Sequence, residues 1–568
     1  MEDPIIPICK RLVIAALLAG VPFAPLAAAK GLAPDQLLSA YVEARTADAV
    51  GDQRRAARLF ATLAAADPGD RTLARRAVGA AIDGGDMALA LAVARRLPLD
   101  QLALDGRLLL AADALRRGQS NEAIALIERS GVGEDGGAGE YRGPGEENPD
   151  ANGAFIAPLV RAWATQAARR DGAALLASVG AGTLLAPFID EQSAAMLLAS
   201  RRVDEAMLLV PKALAAAGGR ETRLRLAYAA MLARAGERDK AQALLTGTHP
   251  ALKRLDLRRP QPGIAIDTPA AGFAELLLGL AVSLAQGSER ALPLTLVQLA
   301  RHAAPDSSEA AILLALLLDR QGREAEALAA LATVPASDPF VDDVRDAGAR
   351  LLLALKRGPE ALALAQRAAA GPQALAGDHG RLGNVLDELD RHAEAAEAYA
   401  RAAALEAGPN AWTWRLLRAA QLDELERWPE ARAELNAALA TSPDQPLLLN
   451  YLGYGSLERG ENLDQAEAMI RRALALRPGD PAITDSLGWA LYKRGRLPEA
   501  IETLTKAAIA EPADPEIQEH LGDALYQAGR RTEARFAWRA ALLTAEQAET
   551  KRIESKIAAG WTTATAAP

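Results

Sequence analysis

The sequence predicts an all-α solenoid, a stack of about fourteen helix-turn-helix repeats, and three observations carry that prediction. Half of the 568 residues are hydrophobic but only 4% are aromatic, so the apolar content is mostly Ala and Leu, which give up least freedom in a helix. Clusters of Val, Ile, Thr and aromatic residues, the material of pleated sheets, are sparse, which argues against a sandwich, a barrel or a doubly wound sheet. Alanines, small residues and turn glycines recur at steps near 34 residues, a period that marks stacked helical hairpins.

At the N-terminus, Lys10 and Arg11 precede an uncharged stretch, Leu12 to Ala29, that ends in Ala27-Ala28-Ala29. A basic pair, an apolar run and a small-residue cleavage site predict a signal peptide over residues 1–29. Pro22 and Pro25 interrupt the run, so it makes a poor membrane span. Cleavage would remove Cys9, the only cysteine. The expected location is the periplasm, or export after processing; the alternative, a disordered or hydrophobic first helix, leaves the chain in the cytoplasm.

The repeat is clearest near the C-terminus. DPAITDSLGWALYKRGRLPEAIETLTKAAIAEP, from Asp480, is followed from Asp514 by DPEIQEHLGDALYQAGRRTEARFAWRAALLTAE. Leu487-Gly488 aligns with Leu521-Gly522, Gly495 with Gly529, Ala500 with Ala534 and Ala507 with Ala541, each 34 residues apart. The alanine that opens the second helix recurs at Ala466, Ala431, Ala395, Ala361, Ala327 and Ala291, then more faintly at Ala241, Ala206, Ala174, Ala123, Ala90 and Ala56. Twelve residues before these alanines stands a small residue (Gly522, Gly488, Ala419, Gly383 and Gly279 among them, with Val78 the exception), as a close helix crossing requires. Gly51, Gly85, Gly118, Gly236, Gly322, Gly495 and Gly529 mark the turn inside the hairpin, and Pro443, Pro478 and Pro512 stand where the second helix must stop.

These positions resemble the tetratricopeptide repeat, with its W-x2-L-G-x2-Y…A-x3-F…A…P pattern. The resemblance covers roughly residues 37–548, with specific motifs from about residue 376 onward. It implies a right-handed superhelical solenoid in which each repeat touches only its neighbours. The organisation expected is a signal peptide (1–29), degenerate repeats (35–130), a Gly/Glu/Pro-rich loop (131–153), degenerate repeats (154–247), a basic, proline-broken linker (248–271), clear repeats (272–548), a polar capping helix (549–561) and a disordered tail (562–568). Lys253, Arg254, Arg258 and Arg259 of the linker either dock an acidic partner or are solvated.

The chemistry of known catalysts is missing. There is no G-x-x-x-x-G-K-[ST], H-E-x-x-H or G-x-S-x-G motif, and the five histidines have no pair at ligand spacing on one helix face. Neither an enzyme nor a metal or other cofactor is expected. A net charge of −9 lacks the basic footprint of a nucleic-acid binder. The resemblance instead implies a non-enzymatic protein-interaction scaffold whose first helices line a concave groove. It places there Asn384, Asp387, Glu388, Asp423, Glu424, Asn450, Tyr454, Asp485, Trp489, Tyr492, Lys493, Glu519, Asp523 and Tyr526. That groove is acidic in the middle and aromatic toward the C-terminus, which suits a peptide or protein partner with a basic segment. One subgroup of the family holds a terminal carboxylate with Lys, Asn and Arg; Asp485 and Glu519 stand where Lys would be, which speaks against that role. Trp489 and the tyrosines either anchor a partner or pack between neighbouring first helices. Two alternatives stay open: a periplasmic assembly component for polysaccharide export or outer-membrane protein biogenesis, and an enzyme using the groove as a substrate platform.

Overall fold

The computed structural model describes residues 34–128, 156–179, 186–285, 291–372, 374–406, 408 and 410–562. The signal-like stretch, the 131–153 loop and the tail beyond residue 562 lie outside them. Among the described residues are thirty α-helices and no strand, an all-α chain of consecutive hairpins. It divides into two compact units, with the division in the chain between Leu351 and Leu352.

The second unit builds its hairpins most regularly. The pairs are Ala376–Asp387 with His392–Leu405, Ala411–Glu424 with Trp428–Thr441, Pro446–Glu458 with Leu463–Leu476, Pro481–Lys493 with Leu497–Ala510, and Pro515–Gln527 with Arg531–Leu542, followed by Gln547–Ala559. Asp480 and Asp514 cap two of the first helices, accepting from the backbone N–H of Ile483 and Ile517 at 3.1 and 3.0 Å, with Pro481 and Pro515 in the first turn.

The small position is a true contact. A Cβ on Gly488 would come within 3 Å of Leu504, one on Gly522 within 3 Å of Trp538, and one on Gly383 within 3 Å of Tyr399, each partner lying sixteen residues on. Gly453 meets Ile470, seventeen on, because its turn carries one extra residue. Five residues before the recurrent alanine, the backbone is left-handed. The position holds Gly495 (φ 73°) and Gly529 (φ 80°), but also Lys356 (φ 58°), Asp390 (φ 55°) and Glu426 (φ 57°). Arg201 and Arg169, in the degenerate half, take the same conformation, so the register extends there. One alanine departs from it: Ala174 is exposed and Ala173 is buried, in a helix of only six residues, Gly172–Ala177.

A further device sits just ahead of the alanine, the segment Arg-x-x-Glu-Ala. The guanidinium of Arg202, Arg323, Arg357, Arg391, Arg427, Arg496 and Arg530 donates Nε to the Glu three residues on at 2.7–2.9 Å. Each Arg is the N-cap residue of a second helix, and the carboxylate in the first turn suits the positive end of the helix dipole.

The first unit is not a chain of nearest-neighbour contacts. Helix Ala291–Ala303 packs on Arg71–Asp83 and Leu104–Arg116, and Pro269–Leu284 packs on Leu104–Arg116 and Ala157–Ala167. Thr295 Oγ1 donates to Asp83 Oδ1 at 2.6 Å across 212 residues of sequence. The physical reason is that Pro269–Leu284 is apolar on nearly all sides, with Phe273, Ala274, Leu276, Leu277, Leu278 and Ala281 all buried. A helix without a polar face has to be covered all round. The 248–271 segment also differs from a solvated linker. It contains the helix Pro250–Arg254, buries Ile264 and Ile266, and pairs Arg254 with Asp342 through two hydrogen bonds of 2.6 and 2.9 Å.

Candidate protein-interaction site

The fourteen groove residues expected from the sequence fall into two groups. Asp485, Trp489, Glu519 and Asp523 are buried, at 5% exposure or less, and their polar groups are engaged within the chain, with Asp485 Oδ1 alone lacking a hydrogen bond among the described residues. Asp485 Oδ2 lies 2.8 Å from His520 Nδ1, and the His520 ring stacks on Trp489 with centroids 4.0 Å apart. Trp489 also stacks on Tyr492 at 4.6 Å and donates Nε1 to Glu458 at 2.6 Å. Lys493 Nζ lies 3.0 Å from the other oxygen of Glu458 and 5.1 Å over the Trp489 ring. Trp489 thus packs between first helices, the second of the two readings of that residue.

Further along, Asp523 accepts from Trp538 Nε1 at 2.9 Å and Trp561 Nε1 at 3.1 Å. Glu519 accepts from Arg552 at 2.7 and 2.9 Å and from Lys556 at 2.6 Å. Tyr526 lies against Trp538, rings 5.5 Å apart. Tyr454 donates to Glu516 at 3.2 Å, and Asn450 is half-buried, its Oδ1 without a hydrogen bond among the described residues. Glu458, Glu516, His520, Arg552 and Lys556 were not singled out in the sequence. Only Glu458 had a signal there, since it stands at the thirteenth repeat position like Glu388 and Glu424.

The second group faces outward. Asn384, Glu388 and Glu424 are exposed, and Asp387 and Asp423 are half-buried. Asn384 accepts from Tyr399 at 2.8 Å. Asp423 is neutralised by Arg459, and among the described residues Asp387 pairs only with His392, at 3.7 Å. Glu388 and Glu424 make no ion pair among the described residues. These carboxylates stand at the C-terminal ends of two consecutive first helices, where the helix dipole is negative and disfavours them. Their field reaches neighbouring tyrosines: burial, then Asp387 and Glu388, pushes the Tyr399 hydroxyl pKa up, and burial, then Asp423 and Glu424, does the same to Tyr451.

A family model described as the tetratricopeptide repeat matches residues 381–446, 422–481, 455–515 and 486–549. No curated protein sequence matches the chain. Among solved structures, it is similar to the APC/C hetero-tetramer Cut9–Hcn1, with 16% identity over 94% of this chain and 97% of that one and a TM-score of 0.36. It is similar to yeast Tom70, with 11% identity over 92% and 95% and a TM-score of 0.37. It is also similar to YrrB, a repeat protein with an unusual peptide-binding site, with 19% identity over 32% and 91% and a TM-score of 0.26. At such TM-scores the molecules do not superpose as whole chains. The repeat frame, its turn geometry and the matched segments together make residues 381–549 a run of tetratricopeptide repeats.

Proposed function

We propose that this chain is a non-enzymatic protein-interaction scaffold that holds a basic peptide or protein segment against the first helices of its second unit, in the bacterial cell envelope. The repeats support the scaffold, because stacked hairpins of this family serve protein interaction. One observation carries the basic partner: Asp387, Glu388 and Glu424 place negative charge at the C-terminal ends of two consecutive first helices, with no cation of the chain on Glu388 or Glu424 among the described residues. Positive charge on a partner would relieve both the like-charge repulsion and the unfavourable dipole contact. The envelope rests on the signal-like stretch Leu12 to Ala29, and no helix among the described residues is long and apolar enough to cross a membrane.

The test is fluorescence anisotropy with the purified chain and labelled Lys/Arg-rich and Asp/Glu-rich peptides of equal length. The basic peptide should bind in a salt-sensitive manner, and Glu388→Gln with Glu424→Gln should weaken it about tenfold. Equal binding of the acidic peptide would sink the reading. Fractionation of expressing cells checks location separately: unprocessed chain in the cytosol would remove the envelope.

A further inference from the structure

We propose that the first unit binds a small amphiphilic anion, an oxyanion head on an apolar body, in a cavity of about 720 Å³ formed where helix Ala291–Ala303 crosses the N-terminal repeats. The cavity exists only because the chain returns on itself. Arg54 and the Gly84-Gly85 turn come from one side with Arg116, while Gln298, Arg301 and His302 come from the crossing helix. Its volume is that of an ordinary small-molecule site.

Four observations point to an anion. Arg301 is half-buried, and its one hydrogen bond among the described residues is to Thr333 Oγ1, at 3.3 Å. Burial pushes its pKa down with no carboxylate to oppose it, so a guanidinium that stays charged has lost water without gaining a counter-ion. Gln298 is 7% exposed and lines the same cavity. Its amide makes no hydrogen bond among the described residues, and neither amide atom is shut off from solvent, so both are open to a ligand in the cavity. It lies close to the turn, since a Cβ on Gly85 would come 3.3 Å from Gln298 Nε2.

The third observation is the shortage of negative charge. The carboxylate nearest Arg116 is Asp113, at 3.7 Å, and Asp113 is already taken by Arg95 at 2.6 Å, Arg117 at 3.0 Å and His302 at 3.3 Å. Glu326, 3.9 Å from Arg54, is the acid on the rim, and it also pairs with Arg323 at 2.8 Å. Burial, then Arg116, pushes the His302 pKa down, so at neutral pH it offers a hydrogen bond rather than charge. Cations are in excess here in a chain whose net charge is −9. Finally, the lining is partly apolar, with Met87, Leu314, Leu318 and Ala329, which suits the body of an amphiphile and not a hydrated inorganic ion. Carboxylate and phosphate heads both match a guanidinium fork, and the probes separate them.

The experiment is isothermal titration and thermal melting of the full chain with octanoate, octyl phosphate, octanol and inorganic phosphate. At least one alkyl anion should bind saturably and raise the melting temperature, its identity naming the head group. Octanol and inorganic phosphate should bind at least about tenfold more weakly, and Arg301→Gln should weaken the alkyl anion by a similar factor. Gln298→Glu supplies Arg301 with an internal counter-ion, so that variant should fold, melt no lower than the wild type and lose the anion. Binding of neither alkyl anion, octanol or phosphate binding as tightly, or unchanged binding by a folded Gln298→Glu chain would each overturn the proposal.

Discussion

The ammonium of Lys556, fully shielded from solvent, lies 2.8 Å from both carboxylate oxygens of Asp523. A charge is tolerated there because it also meets Glu519 at 2.6 Å, while Arg552 donates to the other oxygen of Glu519 and two indoles donate to the Asp523 oxygens. The helix Gln547–Ala559 thereby closes the last repeat with charge and with Ile553, meeting the need of an open solenoid end for a polar cover.

Lys556→Met should therefore be far worse than loss of one surface ion pair. It strands the buried Asp523 without its cation, while Glu519 keeps Arg552 on both oxygens, and stranding one partner of a buried pair costs about 3–5 kcal/mol. Urea unfolding measures it, and Lys556→Met combined with Asp523→Asn should recover part of the loss. A cost below about 1 kcal/mol would mean that Ile553 and its neighbours hold the helix alone.

His520 makes the stability of the second unit depend on pH. Burial pushes its pKa down, but Asp485, then Glu516, push it up and prevail, leaving it raised above its ordinary 6.5. A raised folded value means stability that is fully present below the ordinary value and lost as pH rises through the folded one. Glu516, raised by burial from its ordinary 4.5, acts with the same sign at lower pH. The melting temperature should fall as pH rises above about 6.5, and His520→Gln should flatten that part of the curve. A flat wild-type profile would show that the imidazole is neutral when folded.

Much of the architecture was legible because the repeat writes the same physical demand many times. The alanine, the small residue twelve positions earlier and the turn between them each answer a steric need, so even Arg201 and Arg169 keep the register without glycine. The candidate site was less legible. Repeat position says which helix face carries Asp485 or Glu519, but a neighbour's His520 or Lys556 decides whether the carboxylate is free. Asp485 and Glu519 looked like groove acids and are interior ion-pair partners. The closure of the first unit was less visible still, because Thr295 and Asp83 are 212 residues apart and each looks like an ordinary surface residue. Only the all-round apolar helix Pro269–Leu284 hinted at it.

Gly488→Leu tests the helix crossing. Even a Cβ would fall 2.6 Å from Leu504, and three more carbons have no space in a packed contact. The cost should be about 1–3 kcal/mol, or more if the hairpin cannot shift. Leu504→Ala should be destabilising alone yet partly rescue Gly488→Leu, a coupling that a double-mutant cycle reads directly. An unchanged melting temperature for Gly488→Leu would displace the whole repeat frame.

The left-handed turn offers a stabilising change. Lys356 and Glu426 occupy a position where Gly495 and Gly529 stand in later repeats, at φ values of 58° and 57°, and a side chain in that region costs about 1 kcal/mol relative to glycine. Lys356→Gly and Glu426→Gly should each stabilise by about 0.5–1 kcal/mol, since the relief exceeds the added freedom of the unfolded chain. Differential scanning calorimetry should show both melting temperatures rise, and a fall in both would mean that the side chains make compensating contacts.

Arg220 holds the first unit together from its centre. It is 5% exposed, lies 3.3 Å from Glu191 and 3.1 Å from Glu309, and pairs with Glu275. Arg223 shares Glu275 and Glu309 and donates to the carbonyls of Ile264 and Gly263 at 2.6 and 3.1 Å. Three carboxylates thus meet two guanidinium groups. Burial raises the Glu191 pKa, Arg220 opposes that rise, and Glu275 adds to it. Arg220→Met removes the opposing charge and should cost about 3–5 kcal/mol near neutral pH. The defect should shrink as pH falls and the stranded carboxylates take up protons, so unfolding at about pH 7 and about pH 5 separates it from a packing loss, which would not change. Arg220→Lys keeps the charge but not the planar fork that reaches three partners, and its stability should fall between those of the other two chains at both pH values.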